Sequence, residues 1–127
     1  MKVFISKDFS FEAAHHLPGH EGHCLNIHGH SYKGTVVISG EVQLFGDLQK
    51  YMVMDYSDLK KIINDEIIHN YDHQNLNDFW VIPTAENMVG TFFNNIRCNL
   101  SAHYPNVKLE RVELKETEHS KAWVEAE

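Results

Sequence analysis

Two stretches with the alternation of β-strands open the chain, and the connection between them restricts its fold most strongly. In the first stretch, from Lys2 to Ala14, the apolar residues share one side of an extended backbone: Val3, Ile5, Phe9, Phe11 and Ala13. Leu17 to Asn26 contains the Pro-Gly pair of a loop, and strand character resumes from His28 to Val42. Because parallel strands need a longer crossover element, the two stretches are predicted to form an antiparallel hairpin.

The predicted hairpin gathers histidines, of which the chain has ten. His28 and His30 are separated by one glycine, and side chains two residues apart in a strand point to the same side. His15 continues the apolar side of the first strand, so the pairing brings it beside these two. Neutral imidazole suits zinc, and three nitrogen ligands with one open position are the usual catalytic form. The sequence therefore predicts a zinc site made of His15, His28 and His30.

Cys24 lies four residues before His28, and two interpretations of its thiol remain open. As a fourth metal ligand, the thiol would close the site and make it structural. As a free thiolate beside the cation, it would act as a base or a nucleophile. Sequence spacing does not separate the two interpretations.

Two further groups carry candidate chemistry. Asp72 precedes His73, and a carboxylate can orient an imidazole and tune it for proton transfer, although a solvated loop histidine is the plain alternative. Glu116 lies in a predicted strand, where a glutamate is usually a surface residue. If Glu116 faces the metal pocket, its carboxylate can accept two parallel N–H bonds from a guanidine-like edge, such as that of a pterin.

The rest of the chain predicts two helices between two pairs of strands. After a polar turn from Gln43 to Tyr51, Asp55 or Ser57 caps a helix that ends near His69. Thr84 caps a second helix with an apolar stripe, and strands are predicted from Val107 to Glu116 and from Ala122 to Val124. The apolar side switches within the third strand, which indicates a bulge or a two-sided environment. The predicted fold is α+β, ordered β-β-α-α-β-β, with a four-stranded antiparallel sheet and two helices on one face.

Composition excludes several classes of function. The 127 residues fit one domain, residues 1–127, and 43% hydrophobic content is typical of a globular protein. The formal net charge of −7 argues against nucleic acid or an anionic membrane as the main partner. Two cysteines do not make a disulfide framework, and neither a signal peptide nor a membrane span is recognisable. We therefore expect a cytoplasmic protein.

Taken together, these motifs resemble the 6-pyruvoyltetrahydropterin synthase family, which has the tunnelling fold. The motifs that carry the resemblance occur in this order: Phe11-Glu12-Ala13-Ala14-His15, Cys24 with the His28-Gly29-His30 run, Met54-Asp55-Tyr56, Asp72-His73 with Leu76-Asn77, Pro83-Thr84-Ala85-Glu86, and Leu114-Lys115-Glu116-Thr117. The three residues between Cys24 and His28 are similar to the spacing in the 6-carboxytetrahydropterin synthase branch, which acts in queuosine biosynthesis. The pyruvoyl-forming branch generally has a longer gap.

The resemblance implies a zinc-dependent lyase in which His15, His28 and His30 hold Zn²⁺. It implies that Cys24 is the general base, that Asp72 and His73 complete the proton-transfer group, and that Glu116 anchors the pterin. The implied substrate is 7,8-dihydroneopterin triphosphate, and the products are 6-carboxy-5,6,7,8-tetrahydropterin, acetaldehyde and triphosphate. The implied assembly is a homohexamer of two trimers with sites at subunit interfaces. Two alternatives are a pyruvoyl-forming synthase, which eliminates triphosphate without carbon–carbon cleavage, and a non-catalytic zinc-binding module.

Overall fold

The computed structural model describes residues 1–42 and 51–127 of the chain. The strands in these ranges have the following bounds: β1 (Lys2–His15), β2 (His28–Glu41), β3 (Gln74–Asn75), β4 (Lys108–Thr117) and β5 (Ser120–Glu125). Short 3₁₀ turns lie at His23–Leu25 and Leu76–Asp78. The predicted polar turn from Gln43 to Tyr51 falls, apart from Tyr51 itself, outside the described residues.

Two helical segments follow the first hairpin. Their bounds are α1 (Tyr56–Ile63), which continues through a π-helical turn (Asn64–Ile68) into α2 (His69–Tyr71), and then α3 (Ala85–His103). Asp55 caps α1 by accepting the backbone N–H of Ser57 at 2.8 Å, and Thr84 caps α3 by accepting that of Asn87 at 3.2 Å, so both predicted starts are confirmed. The first segment ends close to the predicted residue, but its π-helical turn was not predicted. Within the described residues, no helix is both long and apolar enough to cross a membrane.

The described strands form one sheet in the order β3-β1-β2-β4-β5. The predicted α+β class and the antiparallel hairpin are confirmed, but the predicted number of four strands is wrong. The fifth strand, β3, pairs in parallel with β1 through Ala13 and Ala14. A strand of two residues has no alternation to recognise, because a period of two needs at least four residues to show.

A bulge in β4 explains why its apolar side switches. Val37 of β2 lies opposite Arg111, whereas the next residue, Ile38, lies opposite Leu109, so Glu110 is an extra residue on β4. The extra residue returns Leu109 and Val112 to the same buried face. Of the two alternatives that the sequence left open, a bulge or a two-sided environment, the bulge is therefore present.

The hydrophobic core lies between one face of the sheet and the helices. It combines Phe11 and Tyr32 of the hairpin with residues of α1 and α3, such as Leu59 and Phe92. Phe11 stacks on Tyr32 with ring centroids 5.0 Å apart, and Phe92 meets Phe11 edge-on at 6.2 Å. The other face of the sheet is open, and near the histidine end it carries the exposed side chains of Ser10, Glu12 and Ser31.

Candidate metal centre

The hairpin register places the three predicted histidines together. His15 is paired directly with His28, and His30 is paired with Ala13, two residues back along β1. Because side chains alternate along a strand, all three imidazoles lie on the face that carries the core. His15 is fully buried. The three histidines that spacing and hairpin geometry predict to converge are therefore brought together in space.

The donor atoms of the cluster converge on one point. The Nε2 atoms of His15 and His28 are 3.1 Å apart, and the centroids of the three rings are separated by 4.7 to 5.0 Å. Glu116 also reaches the cluster, with Oε1 2.9 Å from His30 Nε2 and 3.4 Å from His15 Nε2. One ligand atom from each of the four residues lies within 4.8 Å of the others. Glu116 thus faces the pocket, which was the condition for its predicted role.

The tautomers of His15 and His28 follow from their other ring nitrogens. His15 Nδ1 lies 2.8 Å from the Pro83 carbonyl oxygen, and His28 Nδ1 lies 2.7 Å from that of Asn26. A carbonyl oxygen only accepts, so both Nδ1 atoms carry the proton in the neutral rings and both Nε2 atoms present lone pairs. Two lone pairs facing each other at 3.1 Å repel unless a proton or a metal ion lies between them.

The spacing of these nitrogens fits zinc. Two Zn–N bonds of about 2.0–2.1 Å at the tetrahedral angle separate the nitrogens by roughly 3.3 Å, which is close to the observed 3.1 Å. The Nε2 atom of His30 is buried and has no hydrogen-bond partner among the described residues, although it is in charge contact with Glu116. A third buried ring nitrogen that makes no hydrogen bond with the described residues completes a set that suits one cation.

Tyr32 lies next to the cluster, on the side of β2 that also carries His28 and His30. Its hydroxyl is 3.3 Å from His15 Nδ1, and the side chain is fully buried. Burial, assisted by the nearby Glu116 carboxylate, raises the pKa of Tyr32 above its usual range. The hydroxyl therefore stays neutral and helps to fix the orientation of the His15 ring. Sequence analysis did not single out Tyr32, although it continues the side of β2 that carries His28 and His30.

Burial and the neighbouring groups shift the pKa values within the cluster in opposite directions. Burial alone would lower the pKa of His15, but the contacts with Glu116 and Pro83 outweigh it and raise the pKa. Burial lowers the pKa of His30, with Glu116 opposing the shift and the other two histidines adding to it. The hydrogen-bond interaction with His15 is the main cause that lowers the pKa of Glu116, against the effect of burial. A metal ion would compete with protons at this cluster, because zinc needs neutral imidazoles.

Cys24 lies in the 3₁₀ turn that precedes β2. Its side chain is partly buried and free of any disulfide, and its carbonyl oxygen accepts the Leu17 N–H at 2.6 Å, which closes the loop between the hairpin strands. The thiol does not belong to the group of converging donors found among the described residues. The structure therefore lends no support to the interpretation of Cys24 as a closing fourth ligand, and the role of a base stays a prediction.

The Asp72–His73 pair is formed as predicted, but neither residue belongs to the group of converging donors. His73 Nδ1 is 3.0 Å from Asp72 Oδ2, and Asp72 Oδ1 accepts the Glu12 N–H at 2.9 Å. That backbone hydrogen bond, followed by the one from His73, lowers the pKa of Asp72. His73 has a φ of 61°, an uncommon conformation that occurs at many functional sites. Its exposed ring lines a pocket of about 490 Å³ with Glu12 and Ser31 of the open face of the sheet, and His30 of the cluster lines the same pocket.

These features define a class: an α+β sheet with helices on one face and three strand histidines that converge as a metal centre. The family model described as 6-pyruvoyl tetrahydropterin synthase matches residues 4–127, and the chain belongs to this family. A solved structure of the 6-pyruvoyl tetrahydropterin synthase of Caenorhabditis elegans superimposes with a TM-score of 0.81 and 28% identity, over 100% of this chain and 97% of that chain. The fold is therefore the tunnelling fold that the resemblance implied.

Two relatives differ in how much they share with the chain. The 6-carboxy-5,6,7,8-tetrahydropterin synthase of Haemophilus influenzae is 52% identical over 69 residues, which are 54% of this chain and 48% of the relative. The match thus spans only about half the length of that relative. The dihydroneopterin monophosphate aldolase of Pyrococcus furiosus is 37% identical over 116 residues, 91% of each chain. The first match supports the branch that the spacing between Cys24 and His28 predicts.

Proposed function

We propose that the domain formed by residues 1–127 is a zinc-dependent lyase acting on 7,8-dihydroneopterin triphosphate. The proposed products are 6-carboxy-5,6,7,8-tetrahydropterin, acetaldehyde and triphosphate, and the proposed pathway is queuosine biosynthesis. One observation carries the proposal: the ring nitrogens of His15, His28 and His30 converge on one point, and the neutral rings of His15 and His28 have their Nε2 lone pairs inward. The Haemophilus relative, named for this synthase, supports the choice of reaction.

The three histidines would hold the ion and leave it open to the substrate. Zinc bound there would polarise a hydroxyl of the substrate side chain and lower its pKa. The chain's own contribution is orientation, because the carbonyl groups of Pro83 and Asn26 hold the Nδ1 protons of His15 and His28. Their Nε2 lone pairs are thereby aimed at one point before any ion arrives.

Proton transfer is assigned to Cys24, Asp72 and His73. Cys24 as a thiolate would take a proton from a side-chain carbon of the substrate, and His73, oriented by Asp72, would relay protons. Because Asp72 and His73 lie outside the group of converging donors, a second copy of the chain is proposed to supply the Asp72–His73 pair. A homohexamer of two trimers with sites at subunit interfaces meets this requirement. Two free cysteines suit the reducing cytoplasm, which is the proposed compartment.

Glu116 is proposed to bind the pterin ring. It lines a pocket of about 510 Å³ together with Ala85, Lys121 and Trp123, beside the histidine cluster. When an ion takes the Nε2 lone pairs of His15 and His30, the Glu116 carboxylate is released from its contacts with them and can accept two N–H bonds from a guanidine-like edge. The test is Glu116→Gln, which keeps the shape but cannot accept both bonds. We expect a raised KM for the pterin with zinc retained, whereas zinc loss would make Glu116 a metal ligand instead.

Product analysis tests the proposed reaction. The zinc-loaded protein is incubated with 7,8-dihydroneopterin triphosphate, and acetaldehyde, triphosphate and pterin products are quantified. Equal amounts of acetaldehyde and 6-carboxy-5,6,7,8-tetrahydropterin are expected. A diketo-pterin without acetaldehyde would instead identify a pyruvoyl-forming synthase, and the absence of any turnover would favour a non-catalytic zinc-binding module.

Cys24→Ala separates an enzyme from a structural zinc module. Because the thiol lies outside the group of converging donors, zinc content is expected to stay the same while turnover is lost. Cys98→Ala is the matched control, since Cys98 is a free and exposed cysteine on α3. Loss of zinc from Cys24→Ala, but not from the control, would show that the thiol closes the metal site.

An aldolase is the second candidate, because the Pyrococcus relative matches 91% of the chain. The same assay is therefore repeated with dihydroneopterin monophosphate at matched concentrations. A higher kcat/KM with the triphosphate is expected from the lyase. Preferential cleavage of the monophosphate would assign the chain to the aldolase reaction.

A further inference from the structure

The segment from Asp72 to Asn77 is attached to β1 by an unusually short ladder. Only two residue pairs, Ala13 with Gln74 and Ala14 with Asn75, form the parallel strand pairing. Just before the first of these pairs, the His73 N–H donates to the Glu12 carbonyl oxygen at 2.5 Å. A pairing this short specifies register weakly, and a slip of one residue turns every side chain to the other face.

Side chains extend the ladder at both ends. At one end, Asp72 accepts the Glu12 N–H. At the other end, the Asn77 amide makes two hydrogen bonds with the backbone of His16: its Oδ1 accepts the His16 N–H at 2.9 Å, and its Nδ2 donates to the His16 carbonyl oxygen at 3.0 Å. Asn75 in turn accepts the Asn77 N–H at 3.1 Å. The Asn77 side chain thus satisfies both backbone groups of His16, which a longer parallel strand would satisfy with the backbone of two different residues.

We propose that Asn77 is a positioning residue that fixes the register of the Asp72–His73 pair against the strand bearing His15. An amide is the side chain that can donate and accept side by side, as a backbone peptide does. A slip of the segment would break both bonds to His16 at once. This role rests on the proposed function in one respect, which is that Asp72 and His73 transfer protons.

The metal ligands do not depend on Asn77 in the same way. His15 and His28 form the last of fourteen residue pairs in the ladder between β1 and β2. Their rings are also held by the carbonyl groups of Pro83 and Asn26. Removing the Asn77 amide should therefore loosen the segment that carries the acid–base pair and leave the histidine cluster in place.

Amide hydrogen exchange measures the register without any substrate. In Asn77→Ala and in the milder Asn77→Ser, the His73 amide is expected to exchange about tenfold faster or more. Amides of the β1–β2 ladder should keep their wild-type rates. Asn99→Ser is the matched control, because Asn99 is also partly buried and uses its amide in one hydrogen bond, to Glu66 on the helical side. An unchanged rate at His73, or an equal rise throughout the sheet, overturns the proposal.

Zinc affinity and kinetics complete the test. For Asn77→Ser, zinc affinity should stay within about threefold of wild type, and kcat should fall by about tenfold to a hundredfold with little change in KM. Faster exchange of the His73 amide together with an unchanged kcat would refute the positioning role of Asn77. If the wild-type protein does not turn over the pterin, the proposed function fails by itself, and the exchange experiment still decides whether Asn77 holds the segment.

Discussion

Replacement of Gly34 by alanine tests the packing of the strand that carries two of the histidines. Gly34 lies on the core side of β2, between Phe9 of β1 and the backbone of β4. An added Cβ would be 2.5 Å from the Glu113 carbonyl oxygen and 2.6 Å from Phe9 Cε1, and still closer to Phe9 Cζ. Phe9 is confined by Phe11 and Phe92, and Glu113 is held in the β2–β4 ladder, so neither neighbour can retreat without disturbing the sheet.

The size of the effect follows from these contacts. Inserting a methyl group into a packed core typically costs about 1–3 kcal/mol, and a clash with ladder backbone belongs at or above the upper end. We therefore expect Gly34→Ala to lower the free energy of unfolding by about 3 kcal/mol. For a domain of this size, that loss lowers Tm by roughly 12 °C.

Gly90→Ala is the same substitution, but it is expected to raise the free energy of unfolding instead of lowering it. Gly90 lies inside α3, and an added Cβ would meet nothing within 4 Å among the described residues. Alanine in a helix interior is more favourable than glycine by about 1 kcal/mol, which raises Tm by roughly 4 °C. Both variants are compared by thermal and urea unfolding at one protein concentration, because assembly makes Tm depend on concentration. A Gly34→Ala protein as stable as wild type would refute the reasoning.

Two further predictions concern the groups around the site. Tyr32→Phe keeps the ring on Phe11 but removes the hydroxyl near His15 Nδ1, so zinc affinity should fall by about tenfold in a chelator competition, with Tm nearly unchanged. Because hydrogen bonds from Glu12 and His73 hold the pKa of Asp72 below its ordinary 3.8, its stabilisation is present above that pH and is lost as the pH falls through the lower folded value. The difference in urea midpoint between wild type and Asp72→Ala should therefore shrink on acidification below 3.8.

Each of these two predictions has a contradicting result. Unchanged zinc affinity in Tyr32→Phe would mean that the Pro83 carbonyl alone orients His15. A stability difference that persists unchanged at low pH would mean that Asp72 stabilises the chain in its protonated form, and not through the carboxylate that accepts from Glu12.

The sequence predicts the metal centre better than it predicts what surrounds it. His15, His28 and His30 converge because a hairpin and strand alternation, both visible in local sequence, decide where their side chains point. The carbonyl of Pro83, which orients His15 from 68 residues away, leaves no sequence signal, because every residue carries a carbonyl. Tyr32 could have been found, since it continues the parity of the two histidines on β2.

Short and irregular elements account for the rest of what was missed. β3 has two residues, and its place beside β1 depends on bonds made by the side chains of Asp72 and Asn77. The π-helical turn at Asn64–Ile68 continues the buried apolar stripe of α1 with Ile67, so the apolar pattern is that of a regular helix. For β3, tertiary contacts, and not local periodicity, decide the backbone conformation.

X-ray absorption at the zinc edge tests most directly whether three imidazoles hold an open ion. The zinc-loaded wild-type protein should bind one zinc per chain, with nitrogen or oxygen neighbours at about 2.0–2.1 Å and the outer-shell scattering of imidazole rings. No sulfur neighbour is expected, and Cys24→Ala should give the same spectrum. A sulfur shell at about 2.3 Å that disappears in Cys24→Ala would contradict the account, because the thiol would then occupy the position that the substrate needs.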